Sequence, residues 1–245
     1  MKYIFFFAIA VLVSCQTPKK ELTAQEIIDK AMFVAGTDKL VNASISFNFR
    51  DINYKATRKN GIFQLNRSFD SITDVLSNQG FQRFVNENLI QLSDSLATVY
   101  SNSVNAVHYF SVLPFGLNDA AVLKKLLPST NIQGKEYYKV EVSFLENGGG
   151  EDFEDVFIYW IDAQRFTMDY LAYSFHTNGG GKRFRAIRNQ QVLEGIRFVN
   201  YDNYAPKNDS ISLIDLDKAF ENNNLTLVSE IILEDLKVEI LNRLD

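Results

Sequence analysis

Apolar and polar residues alternate with a period of two along much of this chain, and short turn signals punctuate the alternation. Ile45, Phe47 and Phe49 alternate with Ser44, Ser46 and Asn48. Successive side chains of a strand point to opposite faces, so this pattern describes strands with one face buried. Residues 54–59 and 62–67 flank Asn60-Gly61, a dipeptide that tolerates the positive φ values a two-residue hairpin turn demands. Strands are expected again over 72–77 and 81–85 around Gly80, and over 89–92 after Asn86-Glu87-Asn88. Together these segments read as an antiparallel meander.

Helical periodicity replaces the alternation in three places. Thr23 and Glu26 form a capping box, each satisfying a backbone donor of the other, and Ile27, Ile28, Ala31, Met32 and Ala35 continue as a helical stripe over 24–35 that Gly36 ends. Leu96, Val99, Tyr100, Val104, Val107 and Ser111 recur at helical spacing and predict a long amphipathic helix over 93–112. Asn118 or Asp119 is expected to cap a short helix over 120–127, stopped by Pro128. Strands return over 136–145, 153–161, 166–177, 182–192 and 196–204. At the C-terminus, Leu225, Leu227, Ser229, Ile231 and Leu233 alternate like a strand, but 232–244 also fits a helix. The 20 Phe and 11 Tyr favour β structure around a large apolar interior. The expected fold class is α+β: a curved antiparallel sheet, a half-open barrel, with the N-terminal helix and the central helices covering its concave face.

The N-terminus has a different character. Lys2 precedes an apolar run over 3–13 that includes Phe5, Phe6 and Phe7. That run falls short of the ~20 apolar residues a spanning helix needs and has the length of a signal-peptide core. It ends in Leu12-Val13-Ser14-Cys15, which resembles the bacterial lipobox. The resemblance implies cleavage before Cys15, diacylglycerol on its sulfur and acylation by fatty acids such as palmitate. Residues 1–14 are then a lipoprotein signal peptide, 15–22 a lipidated tether and 23–245 one domain, since no linker or repeat divides it. Two or three acyl chains hold a protein on a membrane without a spanning helix. By resemblance to known sorting rules, Gln16 in place of Asp favours the outer membrane over the inner one; the periplasmic side is expected rather than the surface. Cys15 is the only cysteine, so the mature domain has no disulfide and no thiol chemistry.

The alternation of strands and helices resembles the half-open barrel of the LolA/LolB and RseB group of envelope lipoprotein and lipid carriers, in architecture alone. The stretches SVNAVHYFSVLPFGLNDAAV, YYKVEVSF, YWIDAQRFTMDYLAY, KRFRAIRN and GIRFVNYDNY resemble a group of Bacteroidota lipoproteins over most of residues 23–204. Some of those relatives carry the label deoxyribose-phosphate aldolase. Such an aldolase is a (β/α)₈ barrel with a desolvated Schiff-base lysine, and nothing in this sequence reads as eight βα units.

Little in the chain points to catalysis. It has no P-loop, GxGxxG, HExxH or GxSxG motif, and one cysteine with two distant histidines leaves no Cys/His zinc set. No cofactor is expected. The net charge of −5 argues against nucleic acid as a partner. His108 reads as a histidine at the edge of a packed helix face. His176 draws more interest. A four-residue turn at 162–165 pairs Asp155 with Ala172 and Phe157 with Tyr170, and a loop at 178–181 pairs His176 with Arg183 and Ser174 with Arg185. Phe157, Tyr159, Tyr170, His176, Arg183 and Arg185 then share one face, an apolar floor with a polar end suited to an amphiphile. The same residues also fit an exposed strand end. The acidic run Glu151, Asp152, Glu154 and Asp155 reads as a solvated loop beside the basic strand, with calcium binding the sharper alternative. Three functions stay open: an envelope binding protein for a hydrophobic or amphiphilic ligand, a non-catalytic module contacting another envelope protein, and a hydrolase using His176 with Asp155 or Glu154.

Overall fold

The computed structural model of the chain describes residues 21–148, 153–176 and 179–241. Cys15, Glu151 and Asp152 lie outside these residues, as does part of the loop expected at 178–181. Helix α1 (Ala24–Ala35) begins at the capping box foreseen from Thr23 and Glu26 and ends at Gly36, whose φ is 68°. Only glycine fits there for a second reason. A Cβ on Gly36 would lie 2.0 Å from the carbonyl oxygen of Gly195, so the helix end meets a strand turn backbone to backbone. A 3-10 turn (Thr37–Asn42) leads into the strands.

Six strands follow as a meander: β1 (Ala43–Phe49), β2 (Ile52–Lys59), β3 (Ile62–Phe69), β4 (Ile72–Ser77), β5 (Gly80–Val85) and β6 (Asn88–Ile90). Their turns fall at Arg50-Asp51, Asn60-Gly61, Asp70-Ser71, Asn78-Gln79 and Asn86-Glu87. Asn and Asp recur at these turns because they tolerate left-handed backbone; Asn60 has φ 52° and Asp51 has φ 61°. Helix α2 (Asp94–Ser111) comes next. A second series follows: β7 (Val122–Ile132), β8 (Lys135–Phe144), β9 (Phe157–Asp162), β10 (Met168–Phe175), β11 (Gly181–Leu193) and β12 (Ile196–Pro206), then the short helix α3 (Leu216–Glu221), β13 (Leu225–Ile231) and β14 (Glu234–Ile240).

The α+β class, the curvature and the covering helices stand as expected, with the strands divided between two antiparallel sheets. One sheet has the order β14-β1-β2-β3-β4-β5-β6 and the other β13-β12-β11-β10-β9-β8-β7. The C-terminal ambiguity resolves as strand. β13 and β14 are almost continuous and belong to different sheets, so one run of chain joins them at a corner. Leu233, buried in that corner, donates its N–H to Asn200 Oδ1 at 2.9 Å.

The helix expected over 120–127 is absent, and residues 122–127 belong instead to β7. Eight residues are too few for a helix to stand without packing, whereas Val122 to Leu127 pair residue by residue with β8. Pro128 is accommodated because β7 is an edge strand with an irregularity between Leu127 and Thr130; a missing N–H costs nothing on an open edge.

The second sheet is covered on both faces. α1 buries Ile27, Ile28 and Ala31 against Val140, Tyr159, Leu171 and Tyr201. The opposite face carries Trp160, Tyr170 and Phe184, covered by Leu216 and Ala219 of α3. A buried ion pair pins that small helix: Lys139 Nζ lies 2.8 Å from Asp217 Oδ2, to which Trp160 also donates.

The first sheet is covered by α2. The inward residues of its central strands form cross-strand rows: Tyr54, Arg67, Asp74 and Arg83 in one, Ala56, Leu65, Leu76 and Phe81 in the next. Asp74 is fully buried and accepts from Arg67 Nε at 3.0 Å and Arg83 Nε at 2.6 Å. Removing one member of such a network leaves buried charge without a partner, at a cost of about 3–5 kcal/mol. Asp74→Asn should therefore lower unfolding stability in urea by about that amount; a change below about 1 kcal/mol would show that the row is dispensable.

Candidate functional site

A concavity lined mostly by apolar residues lies between α2 and the β2–β3 hairpin, with a volume of about 350 Å³. The hairpin contributes Arg58, Ile62, Phe63 and Leu65; α2 contributes Asn105 and Tyr109. Val112, Phe115, Gly116 and Asp119 of the loop after the helix close one side, and Val41 reaches the rim. Its volume is at the small end of the range for ligand pockets, roughly 300–1,000 Å³. Beside the cavity, polar contacts tie α2 to the sheet. Arg67 Nη1 donates to Ser103 Oγ at 2.6 Å, and the Arg83 guanidinium stacks 3.5 Å from the Tyr100 ring centroid. One turn on, His108 fixes the height of the helix above the strands.

His108 is 1 % exposed, packed edge-on against Tyr54 and Phe47. Its Nε2–H donates to the Asn66 carbonyl at 2.9 Å, and Nδ1 is buried without a hydrogen-bond partner. Burial is the main cause that lowers its pKa to about 4, opposed by the Asn66 bond and aided by Arg58. His108 is thus a neutral core donor, more deeply placed than the helix-edge residue the sequence suggested.

The ligand-binding face foreseen in the second sheet is arranged differently. Phe157 pairs with Tyr173 and Tyr170 with Trp160, three residues from the expected register. β9 runs to Asp162, and the following loop is held by Asp162 Oδ1, which accepts from the backbone of Gln164 and Arg165. The β10–β11 register differs by three as well, with Tyr173 opposite Arg183 and Leu171 opposite Arg185. An odd shift flips the side chains to the other face. Tyr170 therefore lies on the opposite side, against Tyr137, Phe184 and Phe220. Two odd shifts cancel, which returns Arg183 and Arg185 to the face of Phe157 and Tyr159.

That face is occupied by the protein's own side chains. Tyr109 and Phe110 of α2 pack onto Phe157, and Tyr109 Oη lies 3.2 Å from Tyr159 Oη. Burial of the Tyr109 hydroxyl pushes its pKa up to about 12. Arg185 sits over Phe110 at 3.9 Å and donates to Tyr173 Oη, while Arg183 lies over Phe175. His176 follows the end of β10 with its side chain two-thirds exposed and its Nδ1 3.3 Å from Asp155 Oδ1. The structure brings that pair together, away from the cavity and with no hydroxyl bonded to the ring among the described residues.

A shallower basin of about 560 Å³ gathers Asp51, Asp70, Glu234 and Asp235 at the hairpin ends of the first sheet. Among the described residues no group of three or more His, Cys, Asp or Glu could hold a metal ion. No described helix is long and apolar enough to cross a membrane.

Arg58 went unnoticed in the sequence. The signal was present: it falls in phase with Tyr54 and Ala56 of β2, where an inward residue is due.

Fold and cavity together define an open half-barrel of the α+β class. The chain belongs to the family of unknown function DUF6503, which it matches over residues 2–234. No curated protein matches it. It is similar to the solved structure of a LolA superfamily protein from Nitrosomonas europaea, at 14 % identity and a TM-score of 0.46, covering 92 % of this chain and 96 % of that one. A DUF1329 family protein from Desulfovibrio piger shares 11 % identity at a TM-score of 0.49, covering 89 % and 94 %. A domain described as an outer-membrane lipoprotein-sorting protein, from Vibrio parahaemolyticus, shares 9 % at 0.44, covering 86 % and 93 %.

The unfolded chain protonates His108 near pH 6.5, whereas the folded chain resists until about pH 4. Stability from this group is complete above pH 6.5 and drains as the pH falls toward 4. Between about pH 7.5 and 4.5 the wild type should lose about 2 kcal/mol more than His108→Gln, whose amide can still donate to Asn66. Urea unfolding at both values measures the difference; parallel losses would contradict the neutral-donor assignment.

Proposed function

We propose that this chain is a lipid-anchored cell-envelope binding protein that carries a hydrophobic or amphiphilic ligand in the cavity between α2 and the β2–β3 hairpin. The observation that carries the reading is the cavity itself: apolar walls from Leu65, Phe63, Val112 and Phe115, a few polar groups, and a mouth at exposed Ile62 and Val41. Concave, mostly apolar space with sparse polar groups is what small-molecule sites share. This reading sets the ligand on the first sheet, not on the second-sheet face for which Phe157, Tyr159, Tyr170, His176, Arg183 and Arg185 were the candidates.

Native mass spectrometry of the chain recovered from envelope membranes should show a bound small apolar molecule. Asn105 lies exposed on the α2 side of the mouth, so Asn105→Trp should lay an indole across it and reduce the occupied fraction several-fold without unfolding the protein. Equal occupancy in the variant, or an empty wild type, would contradict the reading.

The anchor rests on the Leu12-Val13-Ser14-Cys15 pattern. Labelled palmitate should enter the wild type and not Cys15→Ala, which should stay uncleaved; label in the variant would rule out attachment at Cys15.

A second reading, a non-catalytic interaction module, is favoured by exposed Leu89 and Ile90 on edge strand β6 and Leu96 and Val99 at the start of α2. An empty cavity together with one stoichiometric cross-linked envelope protein would support it over the first.

A further inference from the structure

Arg58 sets the cavity apart from a plain apolar hole. It lies on the inward face of β2, between Ala43 of β1 and Phe63 of β3. The other two inward arginines of this sheet share Asp74. Arg58 has no carboxylate partner among the described residues. Its guanidinium stands 5.2 Å from the Phe115 ring centroid, and its Nη1 is buried with no acceptor. Burial lowers its pKa from the ordinary guanidinium value. Arg58 as a whole is half-buried, but a donor buried without an acceptor is costly unless something supplies one.

We propose that Arg58 is the headgroup receptor of the cavity, and that the ligand is a single-chain amphiphile with one carboxylate-type negative charge set against its guanidinium. The inference rests on the cavity being a ligand site. A carboxylate offers two acceptor oxygens to the planar fork of the guanidinium. The other charged residue of the lining is Asp119, exposed at the rim, which disfavours a doubly charged head. The volume of about 350 Å³ holds roughly a dozen water-sized groups at ~30 Å³ each, which suits one medium acyl chain.

Calorimetric titration of the purified full chain with decanoate and with decanol tests this. Decanoate should bind at least about tenfold more tightly, the worth of a charge-assisted hydrogen bond. Arg58→Gln should bring that ratio near one. Arg58→Met, which removes the buried Nη1 donor that has no acceptor, should leave the ligand-free Tm unchanged or raise it by about 2 °C and so verify folding. Equal binding of acid and alcohol by the wild type, or an undiminished ratio in Arg58→Gln, would overturn the headgroup assignment and leave the cavity reading in place. Binding of neither compound would overturn both. Tighter binding of decyl phosphate than of decanoate would overturn the choice of a carboxylate.

Discussion

The position of α2 over the first sheet depends on polar groups that have nowhere else to go. Asp74 is fully buried and held by Arg67 and Arg83. Arg67 has a further donor, taken by Ser103 of the helix, and His108 gives its proton to the Asn66 carbonyl of β3. Apolar contacts alone would let a helix slide or rotate on a sheet at little cost. Directional bonds in a low-dielectric interior permit one setting, because any slip strands a buried donor or charge. The cavity lies beside these contacts, between α2 and the β2–β3 hairpin.

The two sheets solve different problems. The second is packed on both faces, with a layer of α1 and the end of α2 on one side and α3 on the other. Its aromatic residues stack on one another, as Phe157 does on Tyr159 and Tyr173, and it acts as the rigid wall against which the chain is built. The first sheet buries one face under one helix and keeps its hairpin ends exposed. The corner at Leu233 and the meeting of Gly36 with Gly195 hold the halves together. Loosely covered space lies on the first sheet, and Tyr109 is the lining residue that also packs into the second core.

Local signals were the legible ones. The capping box, the Asn60-Gly61 turn and the α2 stripe appear where the sequence places them, because each is decided by residues close in the chain. The failures came where distant residues decide. Most of a stretch over 120–127 with helical spacing became strand once β8 offered it a ladder. A five-residue loop stood where four residues were expected, and Tyr170 moved to the other side of the sheet. Arg58 was overlooked because an arginine in a hairpin reads as a surface residue; only the phase of β2 and the loop containing Phe115 turn it inward and half-bury it. Cavities are harder still to read, since they consist of what side chains leave unfilled.

The most direct measurement is the crystal structure of the full chain soaked with an ω-brominated decanoate. An anomalous bromine peak inside the space bounded by Leu65, Val112 and Phe115 is the expected result. Bromine confined to the outer surface, with Tyr109 and Phe115 closed over the space, would contradict it.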